Sequence, residues 1–159
     1  MTLSFVEAMR GWLQGAGSEL PVSFELRAIH RSGRRFDVQG VLAAPPLAQE
    51  TMTRGTLDLG PGELTYHLTF DARDGRRLTL DAVKHPSLRA PHRSMTRMHT
   101  EIRDAEGAVL ASGEMRFATR DLPRFLSSWV PQLFGSKAHR ELDTRRRQIE
   151  RRLLSDGAL

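Results

Sequence analysis

Residues 55–84 read GTLDLGPGELTYHLTFDARDGRRLTLDAVK. Apolar side chains recur at alternate positions around two turn signals. Gly55, Leu57 and Leu59 precede Gly60-Pro61-Gly62-Glu63, Leu64, Tyr66, Leu68 and Phe70 follow it, and Leu78, Leu80 and Ala82 lie beyond Asp74-Gly75. A period of two sends alternate side chains to opposite faces of an extended strand, so each run has one apolar face. In the first turn proline presets φ and glycine supplies positive φ. Pairing Leu59 with Leu64 then sets Leu57 beside Tyr66. A loop of about three residues around Asp74-Gly75 sets Phe70 opposite Leu78, Leu68 opposite Leu80, Tyr66 opposite Ala82 and Leu64 opposite Lys84.

The same alternation extends outward in both directions. Upstream, Val22, Phe24, Leu26 and Ala28 alternate with Ser23, Glu25 and Arg27. After the turn His30 to Arg35, Phe36, Val38, Gly40 and Leu42 alternate with Asp37 and Gln39. Downstream, Pro86 and Pro91 break the pattern between His85 and Arg93, as proline does in a central strand. Thr96, Met98, Thr100 and Ile102 follow, then a type I turn at Asp104-Ala105-Glu106-Gly107, then Val109, Ala111, Gly113, Met115 and Phe117. The fold expected is mainly β: a curved antiparallel meander of about seven strands, lipocalin-like or a partly open barrel, because sheets of this size close or cover their apolar face.

The ends are less regular. Ser4-Phe5-Val6-Glu7 has the composition of a helix capping box, while Phe5, Met9 and Leu13 also share one strand face. We read residues 1–13 as an added strand. Two C-terminal helices are expected, a short one over Asp121–Trp129, capped by Asp121 with Pro123 in its first turn, and a longer one over Ser136–Ser155. The longer helix has a narrow apolar stripe, Ala138, Leu142, Ile149 and Leu153, which would rest across an open end or edge of the sheet or on a partner. The chain thus divides into a β domain with a short helix, 1–130, and a basic helix, 131–159.

At 159 residues the chain can bury a core of its own without a disulfide or metal staple. It has no cysteine, which excludes disulfides, thiolate zinc sites and cysteine nucleophiles and is compatible with a reducing compartment. No apolar run approaches the roughly 18 residues of a membrane-spanning helix, and residues 1–13 do not read as a signal peptide. The expected location is the cytoplasm. The net charge is +5, and seven Lys/Arg against four Asp/Glu in Ser136–Leu159 supply +3 of it. Arg145, Arg146, Arg147, Arg151 and Arg152 form either a solvated helix face or a surface that attracts an acidic partner or anionic membrane. Specific nucleic-acid binding is not expected, since that arginine run has no aromatic platforms beside it.

Inward positions combine large apolar groups with small ones at Gly40, Gly55, Ala82, Ala111 and Gly113. Small inward residues either let a strand bend sharply or leave volume for an apolar ligand. The lining of such a pocket would be Phe24, Leu26, Phe36, Val38, Leu57, Tyr66, Leu68, Met98 and Met115. Lys84 shares the inward parity of Leu78, Leu80 and Ala82, so it must reach the rim, pair with a carboxylate or bind an anionic head group. Glu7 and Arg10 are candidates for the same rim cluster. The spacing of His85, His92 and His99 matches no zinc signature, and no nucleophile elbow, phosphate loop or dinucleotide fingerprint occurs. A dispersed acid–base site would have to draw on Lys84, His67, His99, Asp81 and Tyr66. No cofactor and no metal is expected.

The pattern Phe5-x-Glu7-x-Met9-Arg10-Gly11, with Gly55-Thr56-Leu57-x-Leu59, Leu64-x-Tyr66-x-Leu68-x-Phe70-x-Ala72-x-Asp74-Gly75-Arg76-x-Leu78-x-Leu80 and Lys84, resembles an accessory β-domain. That domain is found with cholesterol-oxidase-like glucose–methanol–choline oxidoreductases and lipase-like α/β-hydrolases. The resemblance spans roughly Phe5 to Phe117 and implies a non-catalytic companion of enzymes that handle sterols or other long apolar substrates. The flavin-binding fingerprint is missing, so no oxidase activity and no catalytic residue carries over.

Overall fold

The computed structural model describes residues 4–85, 97–117 and 144–152. Eight strands follow one another: β1 Ser4–Gly15, β2 Ser18–Ser32, β3 Arg35–Ala44, β4 Ala48–Gly60, β5 Glu63–Asp71, β6 Arg77–Lys84, β7 Arg97–Arg103 and β8 Val109–Phe117. Each pairs antiparallel with the next, and β1 also pairs with β8 from Met9↔Phe117 to Gly15↔Ala111, so the meander is a closed barrel. Closure leaves no edge strand, which removes the exposed ladder that an open sheet of this length would carry. The added N-terminal strand is therefore the element that closes the ring.

The registers agree with the turn chemistry. Leu59↔Leu64 and Leu57↔Tyr66 flank a turn in which Gly62 has φ of +79°, a backbone conformation that suits glycine. Phe70↔Leu78, Leu68↔Leu80, Tyr66↔Ala82 and Leu64↔Lys84 flank the loop in which Gly75 donates to the Ala72 carbonyl. The Asp104 carboxylate accepts from the backbone N–H of Glu106 and of Ala108, fixing the β7–β8 turn. Two strands outrun their sequence signals. β4 begins at Ala48 although Gln49, Glu50 and Thr51 show no alternation, and β2 runs through Pro21, which lies beyond the β2–β3 ladder that starts at Ser23.

The core fills the barrel. Met9, Leu13, Leu26, Leu42, Leu57, Leu68, Leu78, Leu80, Met98, Ile102 and Met115 are all fully buried. Phe5 meets Phe36 edge-on with ring centroids 5.6 Å apart. Small inward residues serve curvature: a Cβ on Gly40 would lie 1.9 Å from the Glu25 carbonyl oxygen, and one on Gly55 1.8 Å from that of His67. Neighbouring backbones occupy the space a side chain would need, as in a small, strongly coiled barrel. Gly113 is similar, with a Cβ placed 2.7 Å from the Trp12 carbonyl oxygen, so these positions are close strand approaches and not unfilled volume.

Residues 144–152 are helical and lie on the outer wall of the barrel, where Ile149 packs with Val6, Val41 and Met52. This corrects the expectation that the helix would rest across an open end or edge: β1, β3 and β4 each turn an apolar side chain outward there, making a second, smaller core. Arg145 ties the helix down by ion pairs to Glu25 at 3.0 Å and Glu50 at 2.5 Å. Arg145 and Arg146 are half-buried against the wall, while Arg147, Arg151 and Arg152 are exposed. The remainder of the Ser136–Ser155 helix and the whole of the Asp121–Trp129 helix lie outside the described residues, as does His92. No helix among the described residues is long and apolar enough to cross a membrane.

Candidate functional site

Three polar side chains meet inside the barrel. Lys84 ends β6 and faces inward because it continues the parity of Leu78, Leu80 and Ala82. Tyr66, two residues along β5 from Leu64, faces the same space beside Ala82 and Leu57. Glu7 approaches from β1, which stands opposite β5 in the ring of eight strands. Tyr66 Oη donates to Glu7 Oε2 and Lys84 Nζ donates to Glu7 Oε1, so each carboxylate oxygen receives one donor. Lys84 Nζ also lies 5.5 Å from the centroid of the Tyr66 ring, within cation–π range. Glu7, Tyr66 and Lys84 are 5%, 2% and 1% exposed, so the charges are sequestered from bulk water.

Burial pushes the Tyr66 hydroxyl well above its ordinary value of 10.0, and the charge of Glu7 and its hydrogen bond push it the same way. Tyr66 is thus held as a neutral donor, and Glu7 is the shared acceptor of a phenol and an ammonium. Chemically the cluster offers an exchangeable set of donors and one acceptor. A hydroxyl, carbonyl or carboxylate entering this end of the barrel can replace one internal hydrogen bond with its own. The cluster lies toward the end where β1, β5 and β7 begin and β6 finishes.

Every residue expected to line the interior faces it. Phe24, Leu26, Phe36, Val38, Leu57, Tyr66, Leu68, Met98 and Met115 belong to one continuous buried cluster, with Phe24 and Tyr66 ring centroids 6.3 Å apart. Lys84 sits among them instead of reaching the rim, and its counter-charge is Glu7. Arg10 does not join this cluster: it lies an odd number of residues from Glu7, points to the outer wall and is exposed. The dispersed acid–base set is divided by the wall. His67 and Asp81, 2.5 Å apart, and His99, 3.6 Å from Glu101, are on the outside, while Tyr66 and Lys84 are inside. The pairing of Glu7 with residues across the barrel could not be read from hairpin registers, since it depends on closure.

Around the described residues the grooves run along the outer wall. One of about 730 Å³ is lined by Arg10, Trp12, Pro21, Val22, Pro45 and Arg116, with Trp12 61% exposed at its edge. No group of His, Asp or Glu among the described residues could hold a metal ion. In comparisons with known proteins, no family model, no curated protein and no solved structure matches this chain.

Proposed function

We propose that the chain is a non-catalytic binding module for an apolar small molecule with a polar head, a lipid or sterol-like compound, taken up at the barrel end that holds Glu7, Tyr66 and Lys84. The observation that carries this reading is the fully buried lysine with its carboxylate and phenol, the charged cluster of an interior whose remaining buried polar groups, among the described residues, are the threonines Thr53 and Thr100. A buried ion pair contributes little net stability compared with apolar residues of the same volume, so a structural role is a weak reason for its presence. It does supply directional hydrogen bonds in a dry, apolar setting, the combination that small-molecule sites use to orient a ligand. Because the central interior is packed, the head group would engage the cluster while the apolar body extends between Phe36, Leu57 and the barrel end. The resemblance of Phe5 to Phe117 to an accessory β-domain supports a companion role beside a lipid-metabolising flavin oxidoreductase or hydrolase, and the absence of cysteine fits a place in the reducing cytoplasm.

A raised Tyr66 argues against the acid–base alternative, since an efficient general acid or base titrates near the working pH. Native mass spectrometry of the purified protein, followed by organic extraction, tests the binding reading. A stoichiometric lipid or sterol-like molecule, co-purified or taken up from a panel, is the expected result. The paired variant Glu7→Leu with Lys84→Met should lose selectivity for hydroxyl- or carboxylate-bearing compounds over the matching hydrocarbons. A ligand-free mass that persists through the whole panel would refute the proposal.

A further inference from the structure

The outer wall carries a second polar site, independent of the one in the interior. Register places Gln39, Arg54 and Thr69 side by side on β3, β4 and β5, and all three point outward. With Asp71, Arg77 and Arg146 they line a depression of about 320 Å³ where the helix meets the wall. Three arginines against one aspartate leave two positive charges on this small surface. Asp71 is already engaged by Arg77, 2.6 Å away. Among the described residues Arg54 and Arg146 have no ion-pair partner, and Arg146 Nε is buried with no hydrogen-bond partner at all. Buried donors are nearly always satisfied, so an orphaned guanidinium N–H in a depression lined by two further arginines points to an acceptor that the described residues do not supply. The guanidinium fork fits the oxygens of a carboxylate or phosphate, and two uncompensated charges match a dianion better than a single carboxylate.

We infer that the seam between helix 144–152 and strands β3–β6 is a binding site for a phosphoryl group, held by Arg54, Arg77 and Arg146 with the Gln39 amide as a neutral donor. The ligand is either a soluble phosphorylated small molecule or the head group of a phospholipid. The helix is part of the site, since it brings Arg146, so an occupied site also fastens the helix to the barrel.

Isothermal titration calorimetry with inorganic phosphate in low-salt buffer, and flotation with phosphatidylcholine vesicles with and without phosphatidic acid, separate the two sources. Wild type is compared with Arg54→Gln, Arg146→Gln and the control Arg151→Gln, which removes an equal charge from the exposed side of the helix; circular dichroism checks that each variant is folded. The proposal expects phosphate binding that weakens about tenfold or more in Arg54→Gln and Arg146→Gln and stays within about twofold in Arg151→Gln. Flotation that requires phosphatidic acid and is lost in the same two variants assigns the lipid source, and phosphate binding without flotation assigns the soluble one. Neither phosphate binding nor flotation in the wild type, or an equal loss in all three variants, would overturn it, the latter because it reports diffuse charge attraction.

Discussion

Glu7 accepts from both Tyr66 and Lys84, so its removal strands an ammonium inside the barrel. Leaving one member of a buried pair uncompensated typically costs about 3–5 kcal/mol, whereas replacing both members with apolar residues is close to neutral. Glu7→Gln should therefore lower the urea midpoint strongly, and the Glu7→Leu, Lys84→Met pair should recover most of that loss. Equal destabilisation in both would mean the pair contributes net stability after all. Tyr66 is the chain's single tyrosine, which makes its titration unambiguous. Its folded value is raised, so the native state retains the proton after the unfolded chain has lost it. That contribution is fully present below pH 10.0 and is lost as pH rises from there through the folded value. Phenolate absorbance should consequently stay absent in the native state and appear together with the loss of far-ultraviolet structure at alkaline pH. Phenolate formed in a still-folded protein would contradict the burial of this side chain. The inward direction of Lys84 was legible from alternation, because parity is local. Glu7 could be named only as a candidate for the same cluster, beside Arg10, because it lies 77 residues away and meets Lys84 only across a closed ring.

At the level of elements, alternation and turn residues specified most strands, as in β5 and β6, where one slip of register would have turned Lys84 and Tyr66 to the outside. The first half of β4 was not legible: Glu50 engages the helix, and Met52 is only partly buried against Ile149, so the wet face carries an apolar contact that breaks the pattern. The inward glycines were legible as small residues with two meanings, and geometry decides between them. At Gly55 the β5 backbone passes where a Cβ would sit, 1.8 Å from the His67 oxygen. Gly55→Ala must push β4 and β5 apart in the middle of their ladder, and we expect a loss of about 3 kcal/mol or more, at the upper end for overpacking. Urea denaturation of the variant measures it; a midpoint equal to that of the wild type would show that the strands can separate there without strain.

On the scale of the whole molecule, closure and the helical cover make unequal contributions. β1 pairs along its length with β2 and over Met9 to Gly15 with β8, and it supplies Phe5, Met9 and Leu13 to the core. Deleting residues 1–15 would remove those side chains and open two unpaired edges at once, so the product should fail to fold cooperatively and should aggregate. The helix is a lesser loss. Truncation after residue 143 exposes Val6, Val41 and Met52 and forfeits the burial of Ile149, about 1.5–3 kcal/mol for one large aliphatic side chain. The Arg145 pairs with Glu25 and Glu50 involve a 42% exposed guanidinium and contribute about 0–1 kcal/mol each. Against the roughly 5–15 kcal/mol that holds a domain folded, this leaves an intact barrel with a lower midpoint. Strand circular dichroism retained after the helix truncation and lost after the N-terminal deletion is the expected pair of results. An unfolded helix-truncated chain would show instead that the outer contact at Ile149 is as necessary to the barrel as its closing strand.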